Sequence, residues 1–224
     1  MNQRELFIET LCAACAELGL LDNSEHAERL ADHFELVIET NRQFNLTRLT
    51  DPVEAAVKLY ADSLAAVAWA EEAGIDVRRC LDVGTGAGFP AVPVAVHRPG
   101  WQVTAIDSTG KKARFVQECA EQLTIPNLRA EHARAGQWRP QQRFGLVLFK
   151  AVGKLALCVA QASKLVNREG YVVVYKGPQL TREELDAGQE AAERAGMQTW
   201  DTIDYTLTAG EETLEHTLVV YRRV

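Results

Sequence analysis

Apolar residues recur every three to four positions in the first third of the chain. This spacing places them on one face of a helix and predicts amphipathic helices rather than strands. An Asp22-Asn23-Ser24 cap signal precedes the second helix, and Asp51-Pro52 predicts the start of a third, alanine-rich helix near residues 52–72. The apolar stripes are Leu6, Phe7, Leu11 and Leu18 in the first helix and Leu30, Phe34, Val37 and Ile38 in the second.

The pattern changes after residue 74, where short apolar runs of strand length alternate with helical stretches. Such alternation is typical of a parallel sheet with right-handed crossovers. The last two runs predict an antiparallel hairpin at the sheet edge. We therefore predict an N-terminal helical region at 1–74, packed on an α/β domain at 75–224. The predicted strands are 79–83, 102–106, 127–131, 146–149, 171–175, 200–206 and 213–221, and the helices lie near 88–97, 110–123, 153–166 and 181–195.

Three glycines at alternate positions follow the first predicted strand, in the run CLDVGTGAGFP at residues 80–90. Glycine permits backbone angles and close approaches that a side chain blocks. Gly84, Gly86 and Gly88 therefore predict a ligand lying against the loop backbone. The helix that follows presents its N-terminal amides, which favour the polar or anionic part of a nucleotide-like ligand.

Asp82 separates two candidate ligands for this loop. A dinucleotide-binding loop has GxGxxG spacing, and here the third glycine comes one residue early. A carboxylate beside the loop repels a pyrophosphate, whereas it suits the amine and sulfonium charges of S-adenosylmethionine. Asp107 ends the next strand, where a carboxylate accepts the ribose hydroxyls of either ligand; a helix cap before Gly110 is its alternative interpretation. The residues favour S-adenosylmethionine over a nicotinamide dinucleotide.

Composition narrows the class of protein. A chain of 224 residues with 47% apolar residues is long enough to bury the core of one large domain. No apolar run reaches the roughly 18 residues that span a bilayer. The charged N-terminus argues against a secretory signal, so we expect a cytoplasmic protein with no membrane partner. Cys12 and Cys15 are interpreted as buried thiols, and no metal site is predicted.

The net charge of −7 conceals an asymmetric distribution. Residues 1–76 contain 5 Lys/Arg and 15 Asp/Glu, a net charge of −10. Residues 77–180 contain 15 and 6, a net charge of +9, and residues 181–224 contain 4 and 10, a net charge of −6. A basic middle segment is able to focus a polyanion onto one face of the fold. The alternative is that these charges are scattered over several faces.

Five segments occur in the order found in one family of methyltransferases. They are FNLT at 44–47, DSL at 62–64, LDVGTGAGFP at 81–90, DSTGKKARF at 107–115 and KG at 176–177. From about residue 35 onward the chain resembles ribosomal RNA small-subunit methyltransferase G, a family formerly called glucose-inhibited division protein B. The resemblance implies a Rossmann-like class I methyltransferase fold, a mostly parallel seven-stranded sheet with helices on both faces and an N-terminal helical extension.

The resemblance also implies an activity. Members of the family methylate N7 of one guanosine in small-subunit ribosomal RNA, using S-adenosylmethionine. N7 carries a lone pair and no proton, so positioning of the nucleophile does most of the work and no general base is required. The implied partner is small-subunit ribosomal RNA or the 30S subunit, and we expect a monomer.

Individual residues acquire roles through the same resemblance. Arg134 and Lys150 are candidates for a direct role in the reaction, although no acid or base is assigned. A solvated helix start is the alternative interpretation of Lys111 and Arg114. The cofactor residues are Asp82, Gly84, Thr85, Gly86, Gly88 and Phe89 on the methionine side, Asp107 and Ser108 at the ribose, Ala135 at the adenine, and Lys150. The implied RNA contacts are Lys111, Arg114, Arg134, Lys176 and His216.

Several positions depart from the pattern of the family. Lysine keeps the charge of arginine but loses its planar fork, which matters where a phosphate or base edge is held by two hydrogen bonds. The departures are Leu59 for a histidine, Ala91 for a glycine, Gly136 for an acidic residue, Lys150 for an arginine and His216 near a C-terminal arginine.

These departures leave the cofactor residues intact and change the residues implied for RNA. Two other hypotheses therefore stay open. One is a paralogous methyltransferase acting on a different nucleic acid or a small molecule. The other is a non-catalytic module that keeps the cofactor pocket.

Overall fold

Two helices open the fold, as the apolar pattern predicts. The structure, a computed structural model, describes residues 2–20 and 24–224. Helix α1 (Gln3–Glu17) begins with a capping box, in which Asn2 and Glu5 exchange side-chain and backbone hydrogen bonds. Helix α2 comprises Ser24–Asn41. Most of the cap signal predicted for α2, Asp22 and Asn23, lies outside the described residues.

The helix predicted over residues 52–72 has three parts. Asp51 caps its first turn by accepting hydrogen bonds from two backbone amides, with proline at the first helical position as predicted. A π-helical turn interrupts the regular hydrogen-bond ladder, a feature that occurs often at functional sites. Asp62 follows this turn and is buried. The parts are α3 (Pro52–Ala55), the π turn (Ala56–Ala61) and α4 (Asp62–Glu72).

Seven strands form one sheet in the order β3-β2-β1-β4-β5-β7-β6. The first five are parallel, and β7 lies antiparallel between β5 and β6. The predicted mostly parallel sheet with an antiparallel hairpin at its edge is confirmed. The strands are β1 (Arg79–Val83), β2 (Gln102–Asp107), β3 (Leu128–His132), β4 (Phe144–Lys150), β5 (Val166–Lys176), β6 (Met197–Ala209) and β7 (Glu212–Arg223).

Some boundaries differ from the predicted ones for local reasons. Strand β5 starts at Val166, five residues before its predicted start, because it pairs with β4 across an irregularity in the register near Gly145. Helix α5 starts at Ala91 rather than near residue 88, because the left-handed Gly88 lies in the preceding loop. The helices after β1 are α5 (Ala91–His97), α6 (Gly110–Gln122), α7 (Leu155–Ala162) and α8 (Arg182–Arg194).

Helices cover both faces of the sheet. One face buries residues of α1 to α6, and the other buries residues of α7 and α8. Residues of α1 to α4 share a single buried cluster with the sheet, and the division of the chain at residue 74 stays a prediction. Across the described ranges, no helix combines the length and the apolar character needed to cross a membrane.

Candidate active site

Three of the predicted site residues lie where parallel strands end. Asp82 is one residue from the end of β1, Asp107 ends β2 and Lys150 ends β4. These strands are neighbours in the sheet, since the order is β2-β1-β4. Open parallel sheets bind ligands at the carboxyl ends of their strands. This carboxyl edge is therefore the candidate site.

The glycine loop between β1 and α5 needs its glycines for different reasons. Gly84, Gly86 and Gly88 have left-handed φ angles of 78°, 59° and 101°, which a β-carbon strains. A β-carbon on Gly84 would lie 2.9 Å from Val152 Cγ2, and one on Gly88 would lie 2.7 Å from Val92 Cγ2. A β-carbon on Gly86 would meet nothing closer than the Gly84 carbonyl oxygen at 4.0 Å. Gly86 therefore leaves space beside the backbone, whereas the protein itself packs against the other two.

Asp82 lies beneath this loop and is completely buried. Its Oδ2 accepts a hydrogen bond from the Ala91 amide at 3.2 Å, which ties the strand to the start of α5. Its Oδ1 and the Thr85 hydroxyl are buried and have no hydrogen-bond partner among the described residues. Burial raises the pKa of Asp82 to about 7, because a carboxylate removed from water favours its neutral form. One carboxyl oxygen thus holds the loop, and the other is buried near Thr85, whose side chain acts against burial by lowering the pKa of Asp82.

Asp107 joins the glycine loop to the turn after β2. Its Oδ2 accepts a hydrogen bond from the Gly86 amide at 3.0 Å, and its Oδ1 accepts one from the Thr109 amide at 2.7 Å. A carboxylate offers about four lone-pair positions, so two positions remain for ligand hydroxyls. Asp107 thus stabilises the turn after β2 and keeps acceptor capacity. The alternative interpretation as a helix cap is wrong, because the N-cap of α6 is Thr109 and no side chain caps this helix.

The chain after β3 returns to the end of β2. The Ala133 amide donates to the Asp107 carbonyl oxygen at 3.0 Å, and this brings Ala135 beside the site. Ala135 is buried, whereas the side chain of Arg134 is exposed. Gly136, the departure next to Ala135, is also exposed. This segment therefore lies beside the end of β2, and the adenine contact of Ala135 stays a prediction.

His132 supports the same region and was not among the predicted site residues. Its Nε2 lies 3.0 Å from the Ser108 carbonyl oxygen, and a β-carbon on Gly110 would lie 3.3 Å from its Nδ1. Ser108 itself is exposed. No motif in the sequence marks His132, because its role depends on the pairing of β3 with β2.

His33 supports the glycine loop from α2. The imidazole is completely buried, with Nδ1 2.9 Å from the Tyr60 hydroxyl and its ring packed against Phe89. A β-carbon on Gly88 would lie 3.3 Å from its Nε2. Burial lowers the pKa of His33 to about 3, so the ring is neutral near pH 7. The N-terminal helices therefore help to shape the loop.

Asp62 is a further site residue to which sequence reasoning gave no role. Its Oδ2 lies 3.0 Å from Lys150 Nζ, and its Oδ1 lies 2.6 Å from both His216 Nδ1 and the Tyr205 hydroxyl. Burial favours the neutral acid, but the charge of Lys150 and the hydrogen bonds of His216 and Tyr205 outweigh it and hold the pKa of Asp62 at about 2. Lys150, one of the predicted contacts, is thus paired with a buried carboxylate.

Further hydrogen bonds fix the Asp62 cluster, which we define as Asp62, Lys150, Tyr205 and His216. Lys150 Nζ also donates to the Lys58 carbonyl oxygen at 3.1 Å, next to Leu59 in the π turn. The sequence contains one signal for this cluster, the Asp62-Ser63 pair inside an alanine-rich helix. Polar residues on a buried helix face need hydrogen-bond partners, so the pair indicates a buried polar contact. The partners themselves lie 88 and more residues away along the chain and were not predictable.

The predicted RNA contacts divide into two groups. Lys111, Arg114 and Arg134 are exposed near the carboxyl edge, with Lys111 Nζ 4.6 Å from the centre of the Phe44 ring. Lys176 instead lies 2.7 Å from Glu184, and His216 is held by the Asp62 cluster. The first group offers free positive charge on the surface, whereas Lys176 and His216 are each paired with a carboxylate of the protein.

Comparison with known proteins supports one family. The family model described as rRNA small subunit methyltransferase G matches residues 26–205. A relative of that name from Solibacter usitatus is 37% identical, over 73% of this chain and 76% of its own length. Another from Microcystis aeruginosa is 31% identical, over 90% of this chain and 92% of its own length.

Solved structures support the fold independently. The chain is similar to magnesium protoporphyrin IX methyltransferase from Synechocystis, solved with bound SAH, with a TM-score of 0.60 and 13% identity. The match covers 86% of this chain and 100% of that one. At this identity the similarity shows the fold alone, a Rossmann-like methyltransferase sheet. The family match over most of the chain and the two relatives show that the protein belongs to the rRNA small subunit methyltransferase G family.

Proposed function

We propose that this chain transfers the methyl group of S-adenosylmethionine to N7 of a guanosine in small-subunit ribosomal RNA. The observation that carries the proposal is the family match over residues 26–205. That range contains the glycine loop, Asp107 and the start of α4, so the matched segment includes most of the site. The alternatives, a different substrate or a non-catalytic module, have no observation in the structure that favours them.

The residues at the carboxyl edge fit this cofactor. Gly86 leaves open space beside the loop backbone, and Asp107 keeps acceptor positions for ribose hydroxyls. Asp82 is completely covered and its pKa is raised to about 7 by burial, so a cationic ligand above the loop favours its ionised form. When bound, S-adenosylmethionine supplies an electrophilic methyl group on a sulfonium centre. Negative charge under a cationic ligand stabilises the bound state, most strongly where water is excluded.

The same edge suits a nucleophile that needs no activation. Guanine N7 is a hydrogen-bond acceptor without a proton, so the protein has only to hold it in line with the methyl group. Exposed Lys111, Arg114 and Arg134 provide positive charge for RNA phosphates around the site. The ion pair with Asp62 holds the Lys150 side chain in place. Lys150 is therefore a preorganised charge, because its side chain does not have to be reoriented during the reaction.

A transfer assay tests the proposal directly. Purified protein is incubated with cofactor carrying a labelled methyl group and 30S subunits from cells that lack this gene, and modified guanosines are mapped by mass spectrometry. We expect label at N7 of one guanosine of the small-subunit RNA. Label in a different nucleic acid or a metabolite, or cofactor binding without transfer, would overturn the proposed substrate or the proposed catalysis respectively.

A further inference from the structure

A second basic surface lies at the opposite edge of the sheet from the candidate site. Most strands of the sheet start there, and β7 ends there, since it is antiparallel to β5. Six arginines gather along this edge, and we call them the amino-edge arginines. They are Arg79 in β1, Arg129 in β3, Arg139 and Arg143 before β4, Arg168 in the irregular start of β5, and Arg223 at the end of β7.

Shared contacts show that these arginines form one surface. Arg79, Arg129 and Arg139 line a single cleft with a volume of about 570 Å³. Arg168 and Arg223 line a second cleft further along the edge. Arg143 precedes Phe144, which pairs with Val166, and the Val166 carbonyl oxygen accepts a hydrogen bond from Arg223. The edge from β3 to β7 covers five strand spacings, roughly 24 Å at about 4.8 Å per spacing. The charge is therefore spread along a line rather than concentrated at one point.

Arg129 is paired with Glu131, whose Oε1 lies 3.2 Å from the guanidinium, but much of the remaining positive charge is not neutralised. Arg139 donates to the carbonyl oxygens of Gly136 and Trp138, and Arg223 donates to those of Ser163 and Val166, all of which are uncharged acceptors. Arg143 and Arg168 are exposed and form no ion pair within the described part of the chain. The net charge of the protein is −7, so a row of arginines gives this edge a charge opposite in sign to that of the whole molecule.

Aromatic rings lie among these arginines. The guanidinium of Arg79 lies 5.1 Å from the centre of the Phe144 ring, and Trp138 lines the same cleft. Further along the edge, the guanidinium of Arg222 lies 4.8 Å from the centre of the Trp200 ring, and Trp200 is 44% exposed. Phe144 itself is buried, so Trp138 and Trp200 are the rings with accessible surface beside these arginines. Arginine next to accessible aromatic rings is typical of surfaces that bind RNA, because phosphates pair with arginine and bases stack on rings.

We propose that the amino-edge arginines bind the phosphodiester backbone of RNA at a distance from the methyl-transfer site. This inference rests on the proposed function, because the RNA substrate is the polyanion that the surface would hold. Strands of five to seven residues separate the two edges, about 15–20 Å. An RNA that reaches both edges gains affinity and orientation from phosphate contacts that carry no sequence information. The basic middle segment, residues 77–180, thus contributes positive charge both to the candidate site and to the opposite edge of the sheet.

The test removes two exposed charges from the full-length protein. The variant Arg143→Gln/Arg168→Gln changes residues without an ion pair, and its control, Arg29→Gln/Arg182→Gln, removes the same charge from residues paired with Glu25 and Asp186. Equilibrium binding of a small-subunit ribosomal RNA transcript is measured between about 50 and 300 mM salt. We expect the first variant to bind roughly tenfold more weakly, with a salt slope smaller by about 1.5, and the control to change affinity by less than about threefold.

Measurements of methyl transfer and of self-association distinguish this proposal from the alternatives. We expect the first variant to keep the affinity for S-adenosylmethionine and the kcat of the wild-type protein, with a higher KM for 30S subunits. Unchanged RNA affinity and salt slope would overturn the edge proposal, as would loss of self-association in sedimentation with unchanged RNA binding. Absence of methyl transfer by the wild-type protein would overturn the proposed function instead, because transcript binding is measured without any reaction.

Discussion

A single buried carboxyl beneath the glycine loop has a measurable electrostatic cost. Asp82 has a pKa of about 7 in the folded protein and an ordinary value of 3.8. Because the folded state disfavours its ionisation, the free energy of unfolding falls as the pH rises from about 4 to about 7. The total cost is on the order of 4 kcal/mol above pH 7. Burial of the Asp82 carboxyl group therefore lowers the stability of the folded protein at neutral pH.

We expect Asp82→Asn to remove the free-energy cost of burying the Asp82 carboxylate. The amide oxygen is able to accept the hydrogen bond from Ala91, and the variant has no charge to bury. Without cofactor, the gain in free energy of unfolding over the wild-type protein should be about 3 kcal/mol larger at about pH 8 than at about pH 5. Denaturant unfolding of both proteins at both pH values measures this difference. Groups other than residue 82 titrate in the variant as in the wild-type protein, so their contributions cancel. The same gain at both pH values would contradict the assignment.

Asp62 presents the opposite case, since its pKa is held at about 2. Its contribution to stability is therefore present above its ordinary value of 3.8 and is lost as the pH falls towards 2. We expect Asp62→Asn to lower the free energy of unfolding by about 3–5 kcal/mol near pH 7, because Lys150 remains buried without its partner. Denaturant unfolding provides the measurement.

Two variants control for the Asp62 substitution. Asp186→Asn breaks an exposed pair with Arg182, separated by 3.0 Å, and should cost less than about 1 kcal/mol. The double variant Asp62→Asn/Lys150→Met removes both charges and should recover part of the lost stability. If the double variant is less stable than Asp62→Asn alone, the unpaired lysine is not the cause of the loss.

At the scale of elements, the glycines of the loop between β1 and α5 differ in their surroundings. Gly86 leaves space that a ligand is able to occupy, whereas other side chains pack against Gly84 and Gly88. We expect Gly86→Ala to abolish measurable binding of S-adenosylmethionine while lowering the free energy of unfolding by only about 1–2 kcal/mol. The reason is that the new methyl group meets no protein atom within 4.0 Å and occupies the space beside the loop backbone. Calorimetric titration and thermal unfolding give the two measurements.

Two other glycines serve as references for that loop. Gly196 has a left-handed φ of 67° and open space around it, so Gly196→Ala should cause a similar loss of stability and leave cofactor binding unchanged. Gly88→Ala should destabilise more than either, because its β-carbon would lie 2.7 Å from Val92. Equal cofactor affinities for Gly86→Ala and Gly196→Ala would contradict the assignment of ligand space to Gly86.

The elements themselves were largely predictable from the apolar pattern. Every strand of the sheet was predicted, and the central parallel strands β1, β2 and β4 are the clearest, because buried parallel strands are mostly apolar runs between helices and turns. The π turn at Ala56–Ala61 was not predicted, since its residues fit a regular helix equally well. Polar residues 167–170 concealed the start of β5, because that segment is an irregular and mostly exposed part of the strand.

At the scale of the whole molecule, prediction succeeded for backbone-defined features and failed for side-chain pairing. The glycine loop and Asp107 follow from local sequence, because strand ends and tight turns have strong residue preferences. The partners of Lys150, Lys176 and His216 depend on how distant elements pack, so their pairing with carboxylates was not predictable from the sequence. The amino-edge arginines likewise come together only through the strand order.

The central claim is that this chain methylates guanine N7 in small-subunit ribosomal RNA. Mass-spectrometric mapping of that RNA, from cells with and without the gene, tests it most directly. The account predicts that one N7-methylguanosine disappears without the gene, returns with the wild-type gene and does not return with Gly86→Ala. An unchanged set of N7-methylguanosines in cells that lack the gene would contradict it.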